Sequence, residues 1–249
     1  DQLKGLMAVW RNGKGNEFVE AELEFLNGLA RQAVIAIQNT QLYSEITESL
    51  EQQTATSEIL RVIAESPTDI QPVLNVIAEN ARRLCGSTLS AVYRTDGRMV
   101  FEAAATDLSS KMLETTHEVS GQSYPAPLDW DTSLSSRAIL SRATLHLPNL
   151  ENESDLPSIT RRYVDAKILR SVLMVPMMRE GEAIGCIGVG KRDPGPFTEK
   201  QIALLQTFAS QAVIAIENVR LFEEVQSRNL TLISQLGRNF PLWLRYRPT

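Results

Sequence analysis

Few side chains in this 249-residue chain could do chemistry, and their types and spacing limit what that chemistry would be. There are two histidines, His117 and His146, and two cysteines, Cys85 and Cys186. His146 stands between Leu145 and Leu147, where strand alternation turns it away from both neighbours and toward a candidate pocket. A backbone-bonded histidine is the competing reading, and the many non-catalytic uses of imidazole favour it. Arg162 and Tyr163 share a short helical segment, and a guanidinium there suits an anionic group, although a solvated helix face explains it more simply. Glu151, Glu153 and Asp155 gather carboxylates without the glycine-centred spacing of a calcium loop. Gly185, Gly188 and Gly190 fall inside a strand pattern instead of opening a helix, so close packing accounts for them better than phosphate binding. The cysteines have no CxxC spacing and read as small reduced core residues, in keeping with a cytoplasmic location. No Ser-His-Asp set, HExxH or phosphate-binding loop occurs. The chain is therefore expected not to be an enzyme, and to hold no metal or cofactor apart from an unidentified small-molecule ligand.

A net charge of −5 and a pI of about 5.3 exclude a broad nucleic-acid surface, which runs on clustered Lys and Arg. No apolar run reaches the length of a membrane span and no signal-peptide pattern is present, so neither nucleic acid nor membrane is expected as a partner. The chain starts at Asp1 without a methionine, which reads as a fragment of a longer protein.

The elements that must position these residues are organised around one stretch, Glu20 to Ser66, with no proline and a single glycine, Gly28. It predicts one helix of roughly 45 residues, about 70 Å long. Its first half recurs: Gln32 to Ile37 reappears letter for letter as Gln211 to Ile216, an offset of 179 residues. Leu23, Leu26, Ala30, Ala33 and Ile37 form one apolar stripe and Phe25, Leu29 and Ala36 a second, and two apolar faces imply two partners. Ile46, Leu50, Gln53, Ser57, Leu60 and Ala64 alternate in steps of four and three, a heptad seam softened by its polar members.

Upstream, Leu3, Gly5, Met7 and Val9 alternate as a strand between Asp1 and Arg11. Downstream, Pro67 ends the rod, and Thr68 with Gln71 forms a capping-box pattern before a second helix ending at Gly86. Strands are predicted at Thr88–Arg94 and Met99–Ala105 around the Asp96-Gly97 turn, at Ala143–Leu147, and at Leu169–Met178 and Ala183–Lys191. Short helices are predicted at Leu108–Thr115, Leu134–Ser141 and Pro157–Ala166, with an ordered loop at Ser120–Asp131. Thr198 and Gln201 cap the second copy of the long helix. The pattern is α+β: a mainly antiparallel sheet flanked by helices, with a long coiled-coil-like linker helix.

Three stretches carry a family resemblance. Arg170 to Pro176, Ile184-Gly185 through Gly190, and Pro196-Phe197-Thr198 leading into Ala209 to Asn218 make residues 67–222 resemble a GAF domain of bacterial signalling proteins, of the kind found in tandem in sensor histidine kinases. Residues 1–40 resemble the last strand and helix of a preceding, incomplete copy. Residues 41–66 are then a signalling linker helix. Residues 223–249 are a helix end and an atypical tail, expected to be disordered beyond about Gly237 or docked as a short apolar patch.

The resemblance implies a regulatory module that binds a small molecule in a loop-covered pocket and relays its state through dimeric helices to an output domain, such as a kinase, outside this chain. A dimerising spacer without ligand is the alternative. Cyclic-nucleotide, bilin and haem relatives find no support: Gly190 replaces an Asn before Lys191, Gln201-Ile202 replace an acidic pair, neither cysteine precedes a histidine, and only His117 and His146 could ligate iron. The pocket is expected between the sheet and the segments 122–134 and 145–163, with Tyr124, Trp130, His146, Arg162 and Tyr163 as ligand-binding residues. A homodimer is expected through Leu26, Ala33, Ile37, Ile46, Leu50 and Leu60 of the first long helix and Leu205, Ala212 and Ile216 of the second.

Overall fold

The computed structural model describes residues 5–10, 12, 17–106 and 124–239. The chain divides into two compact units, residues 1–53 and 54–249. The predicted helix at 108–115 and His117 lie outside the described residues.

Helix α1 spans Glu20–Glu65, as its lack of breakers requires, and the Glu22 carboxylate accepts from the Val19 N–H at 3.0 Å to close its first turn. In the first unit, residues 5–10 form no strand, contrary to the alternation of Gly5, Met7 and Val9. A strand needs a ladder partner for its N–H and C=O groups, and none is present among the described residues of this unit. Gly5, Leu6 and Met7 instead line an apolar groove with Ala30, Ala33, Val34 and Ile37 of α1.

The second unit begins with the last turns of α1. Ala55 and Ile59 have no exposed surface, and Val62 and Ile63 pack beside them. Helix α2 (Gln71–Leu84) follows, and its Asn80 amide donates to Glu58 at 3.1 Å. The predicted Thr68/Gln71 capping box does not form. Ile70 is the N-cap residue without a side-chain cap, Asp69 accepts the Gln71 N–H, and the Gln71 amide reaches the Ala103 carbonyl at 2.8 Å.

The sheet comprises, among the described residues, β1 (Leu89–Thr95), β2 (Met99–Thr106), β3 (Ala126–Pro127), β4 (Leu145–Leu147), β5 (Ser171–Arg179) and β6 (Glu182–Lys191), in the order β3-β2-β1-β6-β5-β4, with every pair antiparallel. The Asp96 carboxylate accepts from the Arg98 and Met99 N–H groups and Gly97 takes φ +89°, so the first hairpin turns where its Asp-Gly pair predicts. Helices α3 (Leu134–Ser141) and α4 (Ser158–Asp165) cover one face of the sheet. The other face carries α2, the end of α1, and α5 (Glu199–Asn239).

Thr198 and Gln201 form the reciprocal capping box at the start of α5: each side-chain oxygen accepts the other's N–H, at 3.2 and 2.9 Å. Helix α5 continues through Gly237, and the rest of the predicted tail, residues 240–249, lies outside the described residues. Over Glu199–Asn229 it is long and apolar enough to cross a membrane by composition alone, which the residue runs did not flag. Its apolar side is instead laid on the sheet through Leu205, Phe208, Ala212 and Ile216, as in a core helix.

That burial corrects part of the expected dimer surface. Leu205 and Ala212 have no exposed surface and Ile216 almost none, so these three belong to the protomer's own core. The helix carries two apolar faces, and the sheet takes the one containing them. Leu26 of α1 is half-buried, while Ala33, Ile37, Ile46, Leu50 and Leu60 are exposed in the single chain.

Candidate functional site

The site is built where α3 meets the sheet. Ser133 closes the first turn of α3, its hydroxyl accepting from the Ser136 N–H at 3.0 Å, and this fixes Ser135 and Leu134 against β5 and β6. The Thr160 hydroxyl of α4 accepts from the Leu134 N–H at 3.3 Å, so the two short helices are pinned to each other beneath the same cavity. From the far side Tyr124 brings its hydroxyl to within 2.9 Å of Ser135 Oγ, which in turn lies 2.7 Å from Ser133 Oγ. The Tyr124 and Tyr93 rings face each other with centroids 5.0 Å apart.

These groups line a small, partly open cavity of about 40 Å³. Leu89, Ala91, Leu134, Ile159, Val172 and Met174 make its apolar wall, and Tyr93, Tyr124, Ser133, Ser135, Thr160 and Tyr163 are its hydroxyl-bearing lining residues. Its described lining carries no charged side chain. Burial pushes the Tyr124 phenol up to about 12 against the opposing pull of the Ser135 and Ser133 hydrogen bonds, and holds Tyr93 well above its ordinary value. Both stay protonated donors at neutral pH.

Strand β6 depends on glycine, and of its three only Gly188 lines the cavity. A Cβ on Gly188 would run into the Met174 thioether, one on Gly190 into Leu169, and one on Gly185 into the Tyr93 carbonyl. These glycines serve close packing between strands, as their position within a strand predicts. Cys186, beneath α3, lies 3.8 Å from the Ser135 carbonyl, and burial raises its thiol far above the ordinary range. Cys85 belongs to the opposite face of the sheet, and burial pushes it up to about 12. Neither is a reactive thiolate and the two do not pair.

Of the five expected ligand-binding residues, Tyr124 and Tyr163 line the cavity and three do not. His146 does turn opposite to Leu145 and Leu147, but those leucines pack on the cavity side. Its own ring points the other way, where Nε2 accepts the Phe197 N–H at 2.9 Å and the ring meets Phe197 edge-on. Arg162 lies on the exposed face of α4. Trp130 is 48% exposed and covers the Arg137 guanidinium, 5.2 Å from the ring centroid.

Arg137 itself was missed by sequence reasoning. It donates to the Trp130 carbonyl at 2.8 Å and to the carbonyl and carboxylate of Asp155 at 2.9 and 3.0 Å, tying the segments on either side of the site to α3. Nothing in the local sequence marks it. Ser133 carried a signal, since a serine directly before an apolar helical segment is an N-cap pattern. Among the described residues no cluster of His, Cys, Asp and Glu could hold a metal, and the Glu151–Asp155 carboxylates do not converge.

A GAF-domain family model matches residues 67–217, and the chain belongs to the GAF family. Members of this family are in general sensory and regulatory modules of signalling proteins. Comparison with the curated proteins gives no match. Among solved structures, the chain is similar to a GAF domain/HD domain protein from Geobacter sulfurreducens (26% identity, TM-score 0.50, covering 63% of this chain and 97% of that one). It is also similar to a domain of a putative two-component sensor histidine kinase from Sinorhizobium meliloti (14%, 0.50, covering 64% and 98%). The free methionine-R-sulfoxide reductase of Neisseria meningitidis, solved with its substrate, shares the fold at 15% identity and TM-score 0.53, covering 68% of this chain and 90% of that one.

Proposed function

We propose that this chain is a sensory module of a cytoplasmic bacterial signalling protein, which binds a compact, uncharged molecule in the cavity under α3 and relays its state through dimeric long helices to an output domain such as a kinase. The observation that carries this reading is the small, partly open cavity whose lining includes six hydroxyl-bearing residues. An uncharged ligand with one or two hydrogen-bonding oxygens suits those groups, whereas an anion would be desolvated there without a described cation to meet it. The ligand is not expected to be covalently held or chemically transformed, because both thiols are buried and protonated.

Helix α5 is the natural relay. It packs on the sheet face opposite the cavity, and Arg179 at the end of β5 donates to its Glu217 at 2.7 Å. A ligand shifts the helix only if it binds two arrangements with different affinity. The second reading, a relay spacer with no ligand, is favoured by the small volume: about 40 Å³ holds only a few water-sized groups. Native mass spectrometry of the purified protein decides between them. A retained small molecule, lost on Tyr124→Phe or Ser135→Ala, is the expected result. A ligand-free dimer, unchanged by exposure to small uncharged metabolites, would leave the spacer reading in place.

A further inference from the structure

The face of the sheet opposite the cavity carries a second, larger hollow. Where the connection from α1 to α2 passes α5, a groove of about 330 Å³ opens within the second unit. Arg94 of β1, Arg179 of β5, Arg220 and Glu223 of α5 and Asp69 of the connection bring charge to it. Ile70, Ile216 and Val219 give it an apolar strip. Arg94 reaches this side because it follows Val92, a residue of the helix-covered core, by two positions in a strand. The volume lies at the lower end of the range of about 300–1,000 Å³ over which proteins hold small molecules.

The charges in the groove are of two kinds. Arg179 and Arg220 are committed, since both pair with Glu217, at 2.7 and 3.0 Å. One Asp69 oxygen accepts the Gln71 N–H at 2.9 Å. The Arg94 guanidinium and the Glu223 carboxylate, by contrast, have no ion pair or hydrogen bond among the described residues, although they line the same groove. Opposite charges that share a hollow without meeting leave room for a molecule that carries both. A plain anion would meet Arg94 but also the carboxylates of Asp69 and Glu223, and a plain cation would meet three guanidiniums. A dipolar molecule gains at each end.

We propose that this groove is a second ligand site, which takes a free amino acid with an apolar side chain: its carboxylate toward Arg94, its ammonium toward Glu223 and Asp69, and its side chain on the apolar strip. The site lies on the other face of the sheet from the cavity under α3 and does not depend on it. Its lining comes from the α1–α2 connection, the sheet and α5 together, so occupancy favours the arrangement of α5 that suits the length of the ligand.

The test is calorimetric titration of the full chain with leucine, isoleucine, valine, methionine and phenylalanine as free amino acids. Binding of at least one is expected. The N-acetyl and amide derivatives of that amino acid, each lacking one of its two charges, should bind at least about tenfold more weakly. Arg94→Gln and Glu223→Gln should each weaken binding by about the same factor, with an unchanged unfolding midpoint because both side chains are exposed. Tyr124→Phe, in the cavity, should bind as the wild type does. Failure of all five amino acids to bind overturns the proposal. So does an N-acetyl derivative that binds as well as its parent, or tighter binding by Glu223→Gln, either of which makes the groove a plain anion site. Binding lost in Tyr124→Phe and kept in Arg94→Gln also overturns it, and would assign the amino acid to the cavity under α3 instead.

Discussion

At the scale of single residues, the absence of a side chain decides how closely strands β1, β5 and β6 approach. An alanine at Gly185 forces a methyl group against backbone, the Tyr93 carbonyl, whereas at Gly188 it meets the flexible Met174 side chain. Overpacking typically costs about 1–3 kcal/mol. Gly185→Ala is expected at the upper end of that range and Gly188→Ala at the lower, measured by urea unfolding. His146→Ala removes the acceptor of the Phe197 N–H and should cost roughly 1–3 kcal/mol while leaving ligand retention unchanged, since the imidazole faces away from the cavity. The sequence indicated which face of β4 His146 shares with neither neighbour, but not which face of the sheet holds the cavity. That depends on where α3 and α4 dock. Tyr124 and Tyr163 were legible because aromatic residues in loop and helix segments near a sheet tend to be covered. Arg137 was not, because its partners, Trp130 and Asp155, are distant or backbone groups brought together only by the fold.

At the scale of elements, capping and breaker residues made most boundaries legible: α3 runs Leu134–Ser141 as its pattern predicts, and the turns at Gly97 and Gly181 take positive φ. What stayed hidden depends on tertiary competition. The Thr68/Gln71 box lost to Asp69 and to the Ala103 carbonyl, and the strand expected at residues 5–10 has no neighbour to pair with among the described residues of its unit. The domain's first packed residues were also missed, because Ala55 and Ile59 precede the proline that seemed to open it. This separates two changes on one helix. Ile59→Ala should lower the stability of the second unit by about 2–5 kcal/mol. Leu50→Pro, with an exposed side chain, breaks α1 locally at about 3 kcal/mol and should leave the unfolding of the second unit nearly unchanged. The tie between β5 and α5 is expected to depend on pH. The hydrogen bonds from Arg220 and then Arg179 hold the Glu217 carboxyl below its ordinary value, so its contribution is complete above the unfolded-state pKa of about 4.3 and fades as pH falls through the folded one. Thermal midpoints of wild type and Glu217→Gln should therefore differ at neutral pH and converge in acid.

At the scale of the whole molecule, both copies of the repeated helix present apolar residues to solvent, and the second sets its other face on a sheet. A dimer through the first kind of face makes helix stability a function of concentration. The melting temperature followed by helical circular dichroism should rise with protein concentration and lose part of that dependence in a Leu50→Asp variant, whose side chain is exposed on α1. The cavity under α3 has a further consequence, in volume instead of energy. A water-free space in the native fold is lost on unfolding, and the volume released under pressure scales with such space without equalling it. If that space is dry in the free protein, it adds to the volume released when the second unit unfolds under pressure. A molecule that fills it would then raise the pressure of unfolding as well as the temperature, so the occupied and vacant forms could be told apart by squeezing the protein before the ligand has a name.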